Sequence, residues 1–206
     1  MSDVIKMDYD VRIPRQKRSI EKKDKIIDAG WKLIAKNGFH NTNTMEIAKE
    51  AGVSTGIVYQ YFKDKHDILI AGINKYGDDI FYPVLKLDGI NIKLEKFPNL
   101  ISKMIDEYIN DHKISSHTHE EIMAMVHTDE DVREYYYNRE MNLTNKLYNI
   151  LIDCGADADC LKEKVHIIIG MIDNLCHEIV YHQHNELNYK KMTEIVIDNI
   201  NNLIIN

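Results

Sequence analysis

Between Val53 and Phe62 the chain places Ser54, Thr55, Gly56, Tyr59, Gln60 and Tyr61 with no acidic residue among them. Hydroxyls and main-chain amides at a helix start donate to phosphate oxygens and set register on a nucleic acid. A glutamine side chain can form a bidentate pair with adenine in the major groove. Gly56 lets a backbone come close to a partner. This set of groups serves recognition and not bond making. The chain has no nucleophile motif, phosphate loop or paired metal ligands, so no catalytic residue is assigned and an enzyme is not expected.

The elements that would position these groups are legible around them. The segment Thr44 to Lys65 reads T-M-E-I-A-K-E-A-G-V-S-T-G-I-V-Y-Q-Y-F-K-D-K. Ala48 is small where two helices would cross, Gly52 sits at a sharp turn, and Ile47, Val53 and Val58 are spaced to hold two helices together. That is the requirement of a helix-turn-helix. Asn43 with Glu46 three residues on has the form of a capping box, and Ser54 or Thr55 caps the second helix. Upstream, a helix starts near Ser19, carries Ile27, Trp31 and Ile34 on one stripe, and stops at Asn37-Gly38, with Phe39 expected to fold back on Trp31 or Ile34.

Charge is divided along the chain. The net charge is −7, yet residues 1–67 carry 13 basic and 10 acidic side chains against 13 and 23 in the remainder. Arg12, Arg15, Lys17, Arg18, Lys22, Lys23 and Lys25 fall in one stretch whose only acidic residues are Glu21 and Asp24. A basic end on an acidic body is the pattern of a phosphate-contacting head, although a short basic tail can also be simply solvated. Residues 1–18, with Pro14 and no periodicity, read as a flexible basic arm. Its run from Arg12 to Lys23 is a candidate for backbone or minor-groove contacts.

Beyond the head the patterns are helical. A helix begins near Asp64 with Ile68, Leu69, Ile73 and Tyr76, and Pro83 kinks or ends it. Residues 88–98 read as a loop with Gly89 and Pro98. Stripes follow at Ile101–Ile109, Glu120–Val126, and Val132–Ile150 closed by Gly155, then from Leu161 to about His184 and from Tyr189 to Ile205. The expected fold is all-α with roughly nine helices. It comprises an arm (1–18), a three-helix helix-turn-helix domain (19–66), and a ligand-binding and dimerisation bundle (67–206). No apolar run approaches the roughly 20 residues of a membrane span. Cys154, Cys160 and Cys176 have no CxxC spacing, which with the lack of a signal peptide points to a cytoplasmic protein.

From about Lys25 to Leu69 the chain resembles the TetR (tetracycline-repressor-like) family of bacterial transcription regulators. The resemblance is carried by N-G-F after the first helix, by I-A-K-E-A-G-V-S-T-G, and by Y-Q-Y-F-K-D-K-H-D-I-L. It implies that Thr44 touches DNA backbone and that Thr55, Gly56 and Ile57, with Ser54 at the helix start, approach the bases. It implies that Tyr59 and Tyr61 press on phosphates and sugars, that Gln60 faces bases, and that Lys65 contacts phosphate. By residue type, Tyr61 fits a core place beside Phe62 as well, and Lys65 a solvated one. Asn43 stands where the family usually has threonine, and asparagine caps a helix at least as well.

The resemblance further implies a double-stranded operator of palindrome-like form, a homodimer and a small-molecule effector; repression is the expected sense. The last two helices, rich in Ile, Val and Leu, suit a helical hairpin that pairs with its copy as a four-helix bundle. Met104, Tyr108, Met123, Met125, Tyr136, Tyr137, Asn174 and His177 are candidates to line an effector cavity, though methionine and aromatic stripes also build ordinary cores. His166, Asp173, His177 and His184 fall within about 40° of one another at 100° per residue. Three readings fit that stripe: a solvent-facing strip, a polar pocket wall, or charge pairs across a dimer axis. His112, His117, His119 and His127 match no standard zinc spacing, so neither a metal nor a cofactor is expected. The competing function is an architectural DNA-binding protein without an effector.

Overall fold

The computed structural model describes residues 17–80, 93–111 and 116–205. Among them are nine α-helices, two short 3-10 turns and no strand. The helices are α1 (Lys17–Asn37), α2 (Thr44–Glu50), α3 (Thr55–Val58), α4 (Lys65–Tyr76), α5 (Phe97–Asp111), α6 (Ser116–Thr128), α7 (Glu130–Asp153), α8 (Leu161–Tyr181) and α9 (Tyr189–Ile204). Two compact units divide the chain: Met1–Phe81 with Ile114–Tyr137, and Tyr82–Lys113 with Asn138–Asn206.

The first unit is built on the crossing of α1 and α4, with α2 and α3 closing the head and α6 against α1. Its core holds Ile26, Ile27, Ile47, Ala48, Val58, Phe62 and Ile68, with Val53 and Ile57 partly buried against it. Apolar side chains at helical spacing supply the driving force, each worth about 1.5–3 kcal/mol when fully buried. In the second unit α5, α8 and α9 pack on one another. Val165, Ile168, Ile169, Ile172, Leu175 and Ile179 form the buried face of α8. On α9 the expected single apolar face is divided: Ile200 and Ile204 are buried while Ile195 is exposed.

Several boundaries differ from the sequence reading. Helix α1 is already formed at Lys17, so Lys17 and Arg18 belong to a helix and not to the arm; nothing between Pro14 and Ser19 opposes helix formation. Arg12, Arg15 and Pro14 lie outside the described residues, as do Pro83 and Gly89. Pro98 stands in the first turn of α5, where its missing N–H would have no intrahelical partner anyway. Phe39 does not fold onto Trp31. Its ring meets His40 and His66 edge-on, and Trp31 stacks on Tyr76 at 5.4 Å. Helix α8 ends at Tyr181, so His184 is outside the helix and exposed. Of the remaining stripe, Nδ1 of His166 lies 3.1 Å from the Thr144 hydroxyl, and His177 sits beside the rings of Tyr181 and His182.

Candidate nucleic-acid interface

The local chemistry that forms the head is as written in the sequence. The Asn43 side chain accepts from the Glu46 amide at 3.0 Å, and the Glu46 carboxylate accepts the Asn43 amide at 3.4 Å, which completes the capping box. Helix α2 ends through Gly52 at φ +67°, with the Val53 amide donating to the Ala48 carbonyl at 3.0 Å. That six-to-one bond across a left-handed residue is the Schellman closure, which a side chain at residue 52 would strain. The turn delivers Ser54 to the start of α3, where its hydroxyl makes no capping bond.

Helix α3 is short, but the helical course continues to Phe62, whose amide donates to the Val58 carbonyl at 3.0 Å. The periodicity then sorts its side chains. Val58, Tyr61 and Phe62, at i, i+3 and i+4, are buried. Gly56, Tyr59 and Gln60 are exposed, Tyr59 at 58%, and Thr55 and Ile57 are half-buried beside them. Thr44 is half-buried at the start of α2. The outward face thus unites Ser54, Gly56, Tyr59 and Gln60.

Two residues grouped with this face have partners inside the head. The Tyr61 hydroxyl is 2.7 Å from the Ser19 hydroxyl, and the ring is 5% exposed. Lys65 turns its ammonium toward the α1–α2 connection and donates to the carbonyls of Phe39 (2.7 Å), His40 (3.3 Å) and Thr42 (2.9 Å). It also lies 4.5 Å from the centre of the Phe39 ring. Sequence reasoning missed this use of Lys65, as well as the buried Asp67, whose carboxylate accepts the Lys63 amide at 2.7 Å. Asp64 caps α4 by accepting from the His66 and Asp67 amides, the kind of short-range N-cap that Asp ahead of an apolar run signals. The basic residues of α1 include exposed Arg18, Lys22 and Lys25, while Lys23 is half-buried with its ammonium 5.5 Å from the Phe62 ring.

The effector candidates separate between the units. Met123 and Tyr136 belong to the first, and Met104, Tyr108, Asn174 and His177 to the second. In the second unit Met104 is buried, Tyr108 and His177 are half-buried, and Asn174 faces solvent. Tyr108 hydrogen-bonds Tyr181, and burial followed by that neighbour pushes its hydroxyl pKa upward. Burial, then the charge of Asp173, pushes the Cys176 thiol up to about 12. Asp173, unnoticed as more than a stripe member, has its carboxyl pushed up to about 6, first by burial and then by Glu140. An open groove of about 430 Å³ between α5 and α9, with Asp106, Lys190 and Glu194 in its wall, includes none of the effector candidates.

The Asp173 environment makes a prediction. Its ordinary value is 3.8. Between that pH and about 6 the folded chain retains a proton that the unfolded chain has lost, so this group's contribution to stability falls as pH rises through the window. Asp173→Asn is expected to be more stable than the parent at pH 7 by about 1–2 kcal/mol, a discounted figure because the side chain reaches solvent. At pH 4 the two should coincide. Urea melts of both proteins across that range check it, and a difference independent of pH would refute the assignment.

The comparisons with known proteins agree with this geometry. Residues 26–71 match the family model described as bacterial regulatory proteins, tetR family. An uncharacterized HTH-type transcriptional regulator, YerO of Bacillus subtilis, is 25% identical over 195 residues, covering 89% of this chain and 65% of that protein. The fatty acid metabolism regulator protein of Bacillus subtilis is 38% identical over 91 residues, covering 44% of this chain and 47% of its own length. The chain thus spans about two thirds or less of the length of these relatives. In fold it is similar to the crystal structure of a regulator from Saccharomonospora viridis in complex with choline, at TM-score 0.66 and 16% identity, over 91% of this chain and 99% of that one. With its capped α2, glycine turn and outward-facing Tyr59 and Gln60, the segment 26–71 matches the tetR family of bacterial regulatory proteins.

Proposed function

We propose that the protein is a DNA-binding transcriptional regulator, a repressor. It would bind a palindrome-like operator as a homodimer and release it when a small molecule binds. The observation that carries the reading is the outward face of α3, where Gly56, Tyr59 and Gln60 are exposed and no acidic side chain intervenes. On this reading Gln60 pairs with a base edge. Ser54, Thr55, Tyr59 and the start of α2 at Thr44 hold the phosphate backbone, while Tyr61 and Lys65 fix the helices that present them. Ile57, half-buried, seats α3 on the head.

Pairing through α8 and α9 has support in their outer surfaces. Ile167 and Ile195 are 55% and 58% exposed, and a Cβ placed on Gly170 would meet nothing within 4 Å. An effector has its support in the similar fold that holds choline and in the half-buried polar cluster around Tyr108 and Asp173. A ligand shifts operator binding only by its differential affinity for the two arrangements. No helix among the described residues is long and apolar enough to cross a membrane, and a cytoplasmic site of action follows from the proposed role.

The test is selection of duplexes from a random pool, followed by anisotropy titrations on the enriched sequence. A two-fold repeated half-site is expected. Gln60→Ala should lose about 1–2 kcal/mol of affinity and relax preference at one base position, whereas Tyr59→Ala should weaken binding to all sequences alike. Failure to enrich any repeat, or variants that bind as the parent does, would overturn the reading.

A further inference from the structure

His66 opens the first turn of α4, and its Nε2 lies 2.8 Å from Oδ2 of Asp129 and 3.8 Å from Oδ2 of Asp131. The two aspartates stand at the start of α7, more than 60 residues further along the chain, and all three atoms lie within 4.8 Å of one another. Asp64 and Asp67 flank the same imidazole from α4. Four carboxylates therefore surround one histidine. Among the described residues neither Asp129 nor Asp131 pairs with a lysine or arginine. The adjacent Lys65 has its ammonium committed to three carbonyls.

We propose that His66, Asp129 and Asp131 bind a divalent first-row transition-metal ion. Ligands at about 2.0–2.2 Å around such an ion stand roughly 3 Å apart. The His66–Asp129 separation already has that spacing, and Asp131, with its side chain 52% exposed, closes the remaining gap by rotation. The ligands are oriented from behind. Asp129 uses Oδ1 to accept the Val132 amide at 3.1 Å, which leaves Oδ2 directed at the imidazole. The Phe39 ring meets His66 edge-on. Outer contacts of this kind hold metal ligands in place. One imidazole with two carboxylates selects zinc, manganese or nickel over magnesium or calcium, which prefer all-oxygen sets. Water completes the coordination, since His66 and Asp131 both reach solvent. Among the described residues, His119 and His127 are not part of this cluster. The ion would tie the first turn of α4 to the first turn of α7, and this holds whether or not the protein binds DNA.

The full-length chain, freed of metal with EDTA, is titrated by calorimetry with zinc chloride and manganese chloride, with magnesium chloride as the control. Melting is followed with and without each ion. One equivalent of zinc or manganese per chain is expected, with a rise in Tm and no response to magnesium. Asp131→Ala, at an exposed position that caps nothing, should weaken binding at least ten-fold while its metal-free Tm stays at the parent value. His127→Ala should bind as the parent does. No saturable binding, or unchanged affinity in Asp131→Ala, overturns the proposal.

Discussion

Gly30→Val is expected to remove about 3 kcal/mol from the stability of the head. Gly30 is buried in α1 where α4 crosses, and a Cβ there would overlap the γ-methyl of Ile68 and touch Ile47 at 3.6 Å. Ile68 and Ile47 are fully buried, so neither has open space to move into. Alanine in place of glycine inside a helix ordinarily gains about 1 kcal/mol. Here Gly30→Ala is expected to lose stability despite that gain, and valine adds two methyl groups and a stiff χ1. Urea denaturation of the three proteins checks the order. A Gly30→Ala variant as stable as the parent would mean that α1 and α4 can separate freely. Because α4 follows directly on the turn that ends α3, Gly30→Val should also lower DNA affinity without touching any residue of the α3 surface.

Lys65→Met is expected to cost about 2–3 kcal/mol, because it removes a charged donor from three carbonyls of the α1–α2 connection, two of them partly buried. Arginine should not rescue it: its planar fork cannot converge on three oxygens as an ammonium does. Two readings of this lysine separate in one pair of measurements. If its role is the one its hydrogen bonds describe, Lys65→Met shifts the denaturation midpoint and leaves the salt dependence of DNA binding unchanged. If it neutralises a phosphate, stability is kept and the salt slope falls by about one.

The contrast between these two residues shows what was readable. Gly52 was identified as the turn glycine and Asn43 as a cap from neighbours within a few positions, and both are where the reading put them. Caps, turns and buried stripes depend on groups separated by one or two helical turns, and the helical period relates them directly. Lys65 reads in sequence as a phosphate contact or a solvated cation at a helix start, because nothing within four residues reveals carbonyls 23 to 26 positions earlier. The expectation of Phe39 against Trp31 or Ile34 misses its ring contacts with His40 and His66 for the same reason: the apolar pattern names residues that must be buried but not their partners. Tyr61 was a balanced case, and only its i+3 relation to Val58 together with the Ser19 hydroxyl put it in the core.

By itself, then, the chain's order of residues determined an all-α fold, the helix-turn-helix with its capping and glycine closure, the resemblance of residues 26–71 to the tetR family, and the face of α3 that carries Tyr59 and Gln60. Tertiary structure decided which polar groups converge from distant helices: Lys65 on the α1–α2 connection, His66 with Asp129 and Asp131, and Asp173 beside Glu140. The physical reason is one of range. Backbone hydrogen bonding and burial act along a helix through a fixed period, whereas the encounter of two helices depends on crossing angles and side-chain volumes such as the missing Cβ of Gly30, which no local pattern encodes.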